Sequence, residues 1–334
     1  MTKRLGYLDC LRGMVMLMVV FCHTCGEFCL GCKNGFWLSD IFGILMLPGF
    51  FFVSGWFTHI GISGGAIRKR LKTMLLPTIA MFLIYVFLYW GNMDELGYCA
   101  LGEYKFGYWF TFVLFLINLI HWITVVGMKG FSLDESKKEK WILMALVPVA
   151  IALVALKNWD WNHNGAVLAN WFSLRLIAMY FPFYLLGMVC RHFEEQYHRL
   201  VENEWLVALV VVTFVGSLFY HGGGFYYGCV QGLLVVFLLY RFCYFYHDFF
   251  SDKTWGGRQL SMIGRNTLPI YLLHYFFFLG LKLYGLGDDI DSHTQWFLML
   301  AVASVLTICV TYASLAMAKV FGLSRLMSKL LIGK

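Results

Sequence analysis

The stretch LRGMVMLMVVFCHTCGE, Leu11–Glu27, sets Arg12, His23 and Glu27 into a run that is otherwise apolar. Runs of similar character, each near the roughly 20 residues that cross a bilayer, recur along the chain. They lie near Ile41–Ile60, Thr73–Trp90, Tyr108–Val126, Trp141–Leu156, Trp171–Cys190, Trp205–Phe219, Phe225–Tyr246, Thr267–Gly285 and Trp296–Phe321. Hydrophobic residues make up 60% of the 334 and charged ones only 13%, with a mean hydropathy of +0.70. Such a composition excludes a soluble globular domain. The runs are continuous rather than alternating, which argues against a β-barrel. The expected fold is all-α: a polytopic helical bundle of about ten transmembrane helices, forming one membrane domain over residues 1–334.

Lysines and arginines assign the sides. Lys3 and Arg4, the cluster Arg68–Lys72, Lys129 to Lys140, Arg241 to Arg265, and Lys319 to Lys334 fall at every second boundary. The intervening loops hold Asp94, Glu95 and Glu103, or Asp288, Asp289 and Asp291. The positive-inside rule then puts both termini in the cytoplasm. The net charge of +7 comes from these short clusters, which suit anionic headgroups of membrane lipids and not nucleic acid. Lys3 and Arg4 before an apolar run resemble a signal peptide, but Arg12 interrupts it and no small-x-small site follows, so this segment is expected to stay as a span.

Ionisable groups in a span are costly and mark bundle interiors or wet cavities. At about 100° per residue, Arg12 and His23 return to within roughly 20° of one line, with a rise of about 16 Å between them. Asp9 and Glu27 fall within roughly 60° of that line. The first helix therefore carries a polar stripe from its cytoplasmic end to beyond mid-membrane. Alone, Arg12 reads as a snorkelling anchor and His23 as an interhelical hydrogen bond; in register, with Glu27 one turn beyond, they read as a site. An imidazole there serves as general base or nucleophile, and the carboxylate of Glu27 would orient it.

YLDCLRGMVMLMVVFCH (Tyr7–His23) resembles the opening motif of membrane acyltransferase family 3, an arginine and a histidine separated on the first helix. Further matches follow in the same order: LPGFFFVSGWF from Leu47, IRKRLKTMLLP from Ile67, YWFTFVLFL from Tyr108, YFPFYLLGM from Tyr180 and LSMIGRNTLPIYLLHY from Leu260. The resemblance implies O-acyl transfer, commonly of acetyl, from cytosolic acyl-coenzyme A to a sugar, a glycan or a lipid-linked acceptor. It implies that Arg12 binds a phosphate of the coenzyme and that His23 is essential for transfer. With the composition, it points to a bacterial inner membrane. A guanidinium at the cytoplasmic mouth suits phosphate, and a pantetheine arm would span the rise to His23. Whether the imidazole deprotonates the acceptor or first takes the acyl group is open at this stage, as is the oligomeric state.

Arg68, Lys69, Arg70 and Lys72 read first as a topology signal; under the resemblance they also grip nucleotide phosphates. Where family members often have a second arginine after the one matching Arg70, this chain has Thr73, and Lys72 is a point charge rather than a fork. Ser54 and Gly55 read as a close helix crossing, and the resemblance makes Ser54 site-lining. Tyr271 and His274 share a helical face and are expected to line the site, with Arg265 meeting the donor from the cytoplasmic side. Cys22, Cys25, Cys29 and Cys32 repeat C-x-x-C, but thiolates along one straight helix cannot converge on a tetrahedral ion. No metal site is expected, only buried thiols and a possible Cys29–Cys32 link. His59, His121 and His221 read as ordinary hydrogen-bonding residues near span ends. The competing functional class is a transporter or channel whose Arg12, His23 and Glu27 line a permeation path.

Overall fold

The computed structural model describes residues 6–28, 37–130, 137–157, 163–219, 224–283 and 296–333. All regular structure among them is helical: α1 Gly6–Phe28, α2 Trp37–Trp56, α3 Gly64–Arg70, α4 Leu76–Trp90, α5 Leu96–Leu101, α6 Trp109–Met128, α7 Lys138–Lys157 and α8 His163–Trp171. There follow α9 Leu174–His192, α10 Glu194–Glu202, α11 Glu204–Leu218, α12 Phe225–Phe245, α13 Trp255–Arg265, α14 Thr267–Leu283, α15 Trp296–Gly322 and α16 Arg325–Met327. Eight helices among the described residues are long and apolar enough to span a membrane, and α10 with α11 makes a ninth if that pair, bent by 74°, is one span. The apolar part of α14, Thr267–Gly280, is shorter. These segments match the ten runs read from the sequence, and the chain is a multi-pass membrane protein.

Two compact units divide the chain. The first comprises residues up to Phe50 and Glu195–Val320; the second comprises Phe51–Glu194 and Phe321–Lys334. At the centre of the first unit, α1 packs along α12, α13 and α14. Small residues make this possible. Gly6, Cys10 and Gly13 on α1, and Gly257, Ser261 and Gly264 on α13, each recur at i, i+4 and i+7, on one helical face. A Cβ on Gly13 would stand 2.1 Å from the carbonyl oxygen of Leu260, and one on Gly264 would stand 1.8 Å from that of Asp9. Thr254 caps α13 by accepting from the Gly257 N–H at 2.9 Å. Cys10 Sγ donates to Phe250 O and Gly257 O, both at 3.3 Å. Towards the C-terminal end of α1, Phe21 and Cys25 bury against Met299 and Ala303 of α15.

In the second unit, Gly55 of α2 and Gly187 of α9 form a reciprocal crossing. Their Cβ positions would lie 1.9 Å from Tyr184 O and 2.0 Å from Phe52 O. The sequence placed the start of the third span at Thr73, after the basic cluster. Instead the helix starts at Gly64, capped by Ser63, which accepts from Ala66 N–H at 3.2 Å, and it runs through a π segment, Leu71–Leu75, into α4. Arginine and lysine are good helix formers, and their long stems reach past the apolar surface to water. The cluster therefore lies inside a helix rather than in a loop before one.

Candidate active site

On α1, Arg12 and His23 are half-buried and Asp9 is buried. His23 meets α14: its Nε2 and the Tyr275 hydroxyl hydrogen-bond at 3.0 Å, and its ring centre lies 5.2 Å from that of His274. His274 is wholly enclosed. Its Nδ1–H donates to Ile270 O at 3.1 Å, since a carbonyl only accepts, and this fixes the neutral ring in one tautomer. In that tautomer His274 Nε2 is a bare acceptor, buried and without a hydrogen-bond partner among the described residues. An orphaned buried polar atom costs about 1–3 kcal/mol, a cost a packing residue has no reason to carry. Tyr271 stands on the same face, 6.0 Å from the His274 ring.

Beside His23, Thr24 Oγ1 and Thr307 Oγ1 of α15 lie 3.5 Å apart. Thr311 and Ser314 continue the Thr307 face at i+4 and i+7, and their buried hydroxyls have no hydrogen-bond partner among the described residues. At the other end of α1, Arg265 donates from Nε to Ser261 O at 3.1 Å and from Nη2 to Ser261 Oγ at 2.9 Å and Asp252 Oδ1 at 3.3 Å. Asp9, Asp252 and Arg265 all lie within electrostatic reach of Cys10.

The second unit holds its own polar network. Arg70 donates from Nη1 to Asn118 Oδ1 and from Nη2 to Thr58 Oγ1 at 2.9 Å. Tyr184 OH donates to the same Asn118 oxygen at 2.8 Å and stands 3.0 Å from His121 Nδ1, while His121 Nε2–H donates to Ile60 O at 2.8 Å. Arg68, Lys69 and Lys72 are exposed.

A family profile described as an acyltransferase domain matches residues 5–316. The chain belongs to acyltransferase family 3. Comparison with curated proteins and with solved structures gave no match.

In this acyltransferase the sequence-derived residues fall into three groups. His23, Tyr271 and His274 come together between α1 and α14. Asp9, Arg12 and Arg265 belong to the opposite half of α1 and to α13. Ser54, Arg68, Lys69, Arg70 and Lys72 belong to the second unit, where the Ser54–Gly55 step forms the close crossing expected of small residues. Glu27 lies in α1, but its side chain is outside the described residues, as are Cys29 and Cys32. In the described structure the group that hydrogen-bonds His23 is Tyr275, a residue that sequence reasoning missed although it closes the quoted YLLHY. The hydroxyl face of α15 was missed too, and its signal was available: Thr307, Thr311 and Ser314 repeat at helical spacing.

Lys105 is another omission. It lies outside the spans, only 8% exposed, and its Nζ donates to Gly102 O and Asn170 O, both at 2.9 Å. Burial pushes its pKa down to about 8, against the opposing pull of Glu103. Its backbone, with those of Phe106 and Ser173, adopts a left-handed conformation that non-glycine residues rarely take.

Proposed function

We propose that this acyltransferase moves an acyl group, most simply acetyl, from cytosolic acyl-coenzyme A to a hydroxyl of a sugar, a glycan or a lipid-linked acceptor in a bacterial inner membrane. The observation that carries the reading is the α1–α14 contact: an imidazole half-buried in a span, hydrogen-bonded by a phenol and adjacent to a second imidazole with a bare nitrogen. A structural histidine needs none of this.

The residues present suit such a donor. Arg12, about 16 Å below His23 along the helix, offers a guanidinium fork for phosphate, with Arg265 nearby on the same side. Arg68, Lys69, Arg70 and Lys72 are the basic groups of the second unit available to the nucleotide; Arg70 spends part of its donor set on Asn118 and Thr58, so the exposed three are better placed to move. The orphaned hydroxyls of Thr311 and Ser314 suit the polar groups of an extended arm.

His23 then acts on the acceptor hydroxyl as general base or takes the acyl group transiently, with Tyr275 fixing the ring's orientation. A base of this kind contributes typically 10²–10⁴-fold. Asp9 and Tyr271 are the site-lining candidates of the first unit and Ser54 that of the second, and Glu27 remains a second candidate to orient His23.

The test is acyl-coenzyme A consumption by purified protein in the presence of a glycan acceptor. His23→Ala is expected to abolish thiol release while donor binding persists, and Arg12→Ala to weaken donor binding. Substrate flux across liposomes with no thiol released would instead favour a transporter.

A further inference from the structure

A groove of about 430 Å³ in the first unit is unrelated to the α1–α14 contact. Leu45 of α2, Phe214 of α11 and Val235, Leu238 and Leu239 of α12 form its walls, and Arg241, Phe245 and Tyr246 close one end. Every lining residue but one is apolar or aromatic. The exception, Arg241, is half-buried with its guanidinium 4.3 Å above the Phe245 ring. Among the described residues no carboxylate pairs with it, and Asp248, seven residues on, pairs with Lys253 at 3.0 Å.

Three features define the occupant. The walls are apolar side chains, chiefly on helices long and apolar enough to span a membrane, so hydrocarbon is a better filling for the groove than water. From Val235 to Tyr246 the helix rises about 16 Å, close to half of the roughly 30 Å hydrocarbon core, which is the depth of one leaflet. The arginine sits at the end that the basic residues assign to the cytoplasm, and the aromatic Phe245 and Tyr246 that line the groove beside it are of the type enriched at membrane interfaces.

We propose that this groove binds one anionic glycerophospholipid of the inner leaflet, an acyl chain lying along Leu238 and Val235 and the phosphate accepting from Arg241. Arginine is suited to phosphate through its planar fork, and a lipid of net negative charge supplies the counter-charge that the protein withholds. The site is independent of donor and acceptor and stands whether or not the chemistry above is right.

The experiment is lipid retention. The protein is reconstituted in nanodiscs of equal phosphatidylglycerol and phosphatidylcholine, extracted in mild detergent, and examined by native mass spectrometry. Wild type is expected to retain one phosphatidylglycerol per chain with a preference of about five-fold, the worth of one arginine near a membrane surface. Arg241→Gln is expected to bind both lipids equally. Leu238→Trp, which fills the groove and keeps the arginine, is expected to retain neither. Equal retention by wild type and Arg241→Gln would overturn the assignment, as would a lipid-free wild type whose mass is that of two chains, which would make the groove a dimer interface.

Discussion

Gly264→Ala tests the crossing that holds α1 in place. The added methyl would stand 1.8 Å from Asp9 O, 2.8 Å from Asp9 C and 3.0 Å from Gly13 N. All three are backbone atoms, so no side-chain rotation relieves the overlap. Ordinary carbon-to-oxygen contact needs roughly 3.5 Å, so α1 and α13 must part by well over an ångström along a face where Gly13 meets Leu260 just as tightly. Overpacking of a core costs typically about 1–3 kcal/mol, occasionally more, and a rigid two-sided clash belongs at the top of that range. For a unit of this size, about 3 kcal/mol corresponds to a melting shift of roughly 6–12 °C. Gly280→Ala is the control: nothing lies within 4 Å of its Cβ position, and alanine is favoured over glycine in a helix by about 1 kcal/mol. Thermal unfolding in detergent, followed by intrinsic fluorescence, separates the two. A Gly264→Ala protein that melts with wild type, or below which Gly280→Ala falls, would refute the packing argument.

Tyr275→Phe removes the hydroxyl at His23 Nε2 and keeps the ring; a hydrogen bond to a group that becomes charged is worth about 1.5–3 kcal/mol, so kcat is expected to fall about 10- to 150-fold with the donor KM unchanged, read by thiol release. His274→Asn retains a donor for Ile270 O and deletes Nε2; melting is expected to match wild type while kcat drops by about 10-fold or more, whereas full activity would make His274 a packing residue. Lys105 carries a pH prediction. Its pKa of about 8 in the folded chain lies below the ordinary lysine value of about 10.4, so the unfolded state binds more protons between these values and stability rises with pH across that window. Melting temperatures between pH 7.5 and 10 should rise for wild type relative to Lys105→Met, and parallel curves would refute the assignment.

The spans were legible because they rest on a strong local signal. Apolar length reports a membrane helix, and Arg12 and His23 in such a run are expensive enough to demand a partner. What stayed hidden depends on which helix faces which. Tyr275 carries no mark of its own in a chain that is 19% aromatic; only the docking of α14 on α1 brings its hydroxyl to His23. Arg70 reads as one cation of a cluster, and its bonds to Thr58, on the preceding turn, and to Asn118, on α6, depend on how those segments fold back on it. Gly55 announced a crossing, but not that Gly187 would be its counterpart. The amphipathic α13 escaped a search for apolar runs because only one of its faces is buried, the face of Gly257, Ser261 and Gly264 that fits against α1.

The central claim is that a donor lies along α1, its phosphates held low by Arg12 and its reactive end beside His23. The most direct measurement is a cryo-EM structure with a non-hydrolysable thioether analogue of acyl-coenzyme A. The account predicts the sulfur in contact with the His23 ring and a phosphate on the Arg12 guanidinium. A coenzyme bound away from α1, with His23 facing lipid tails, would contradict it.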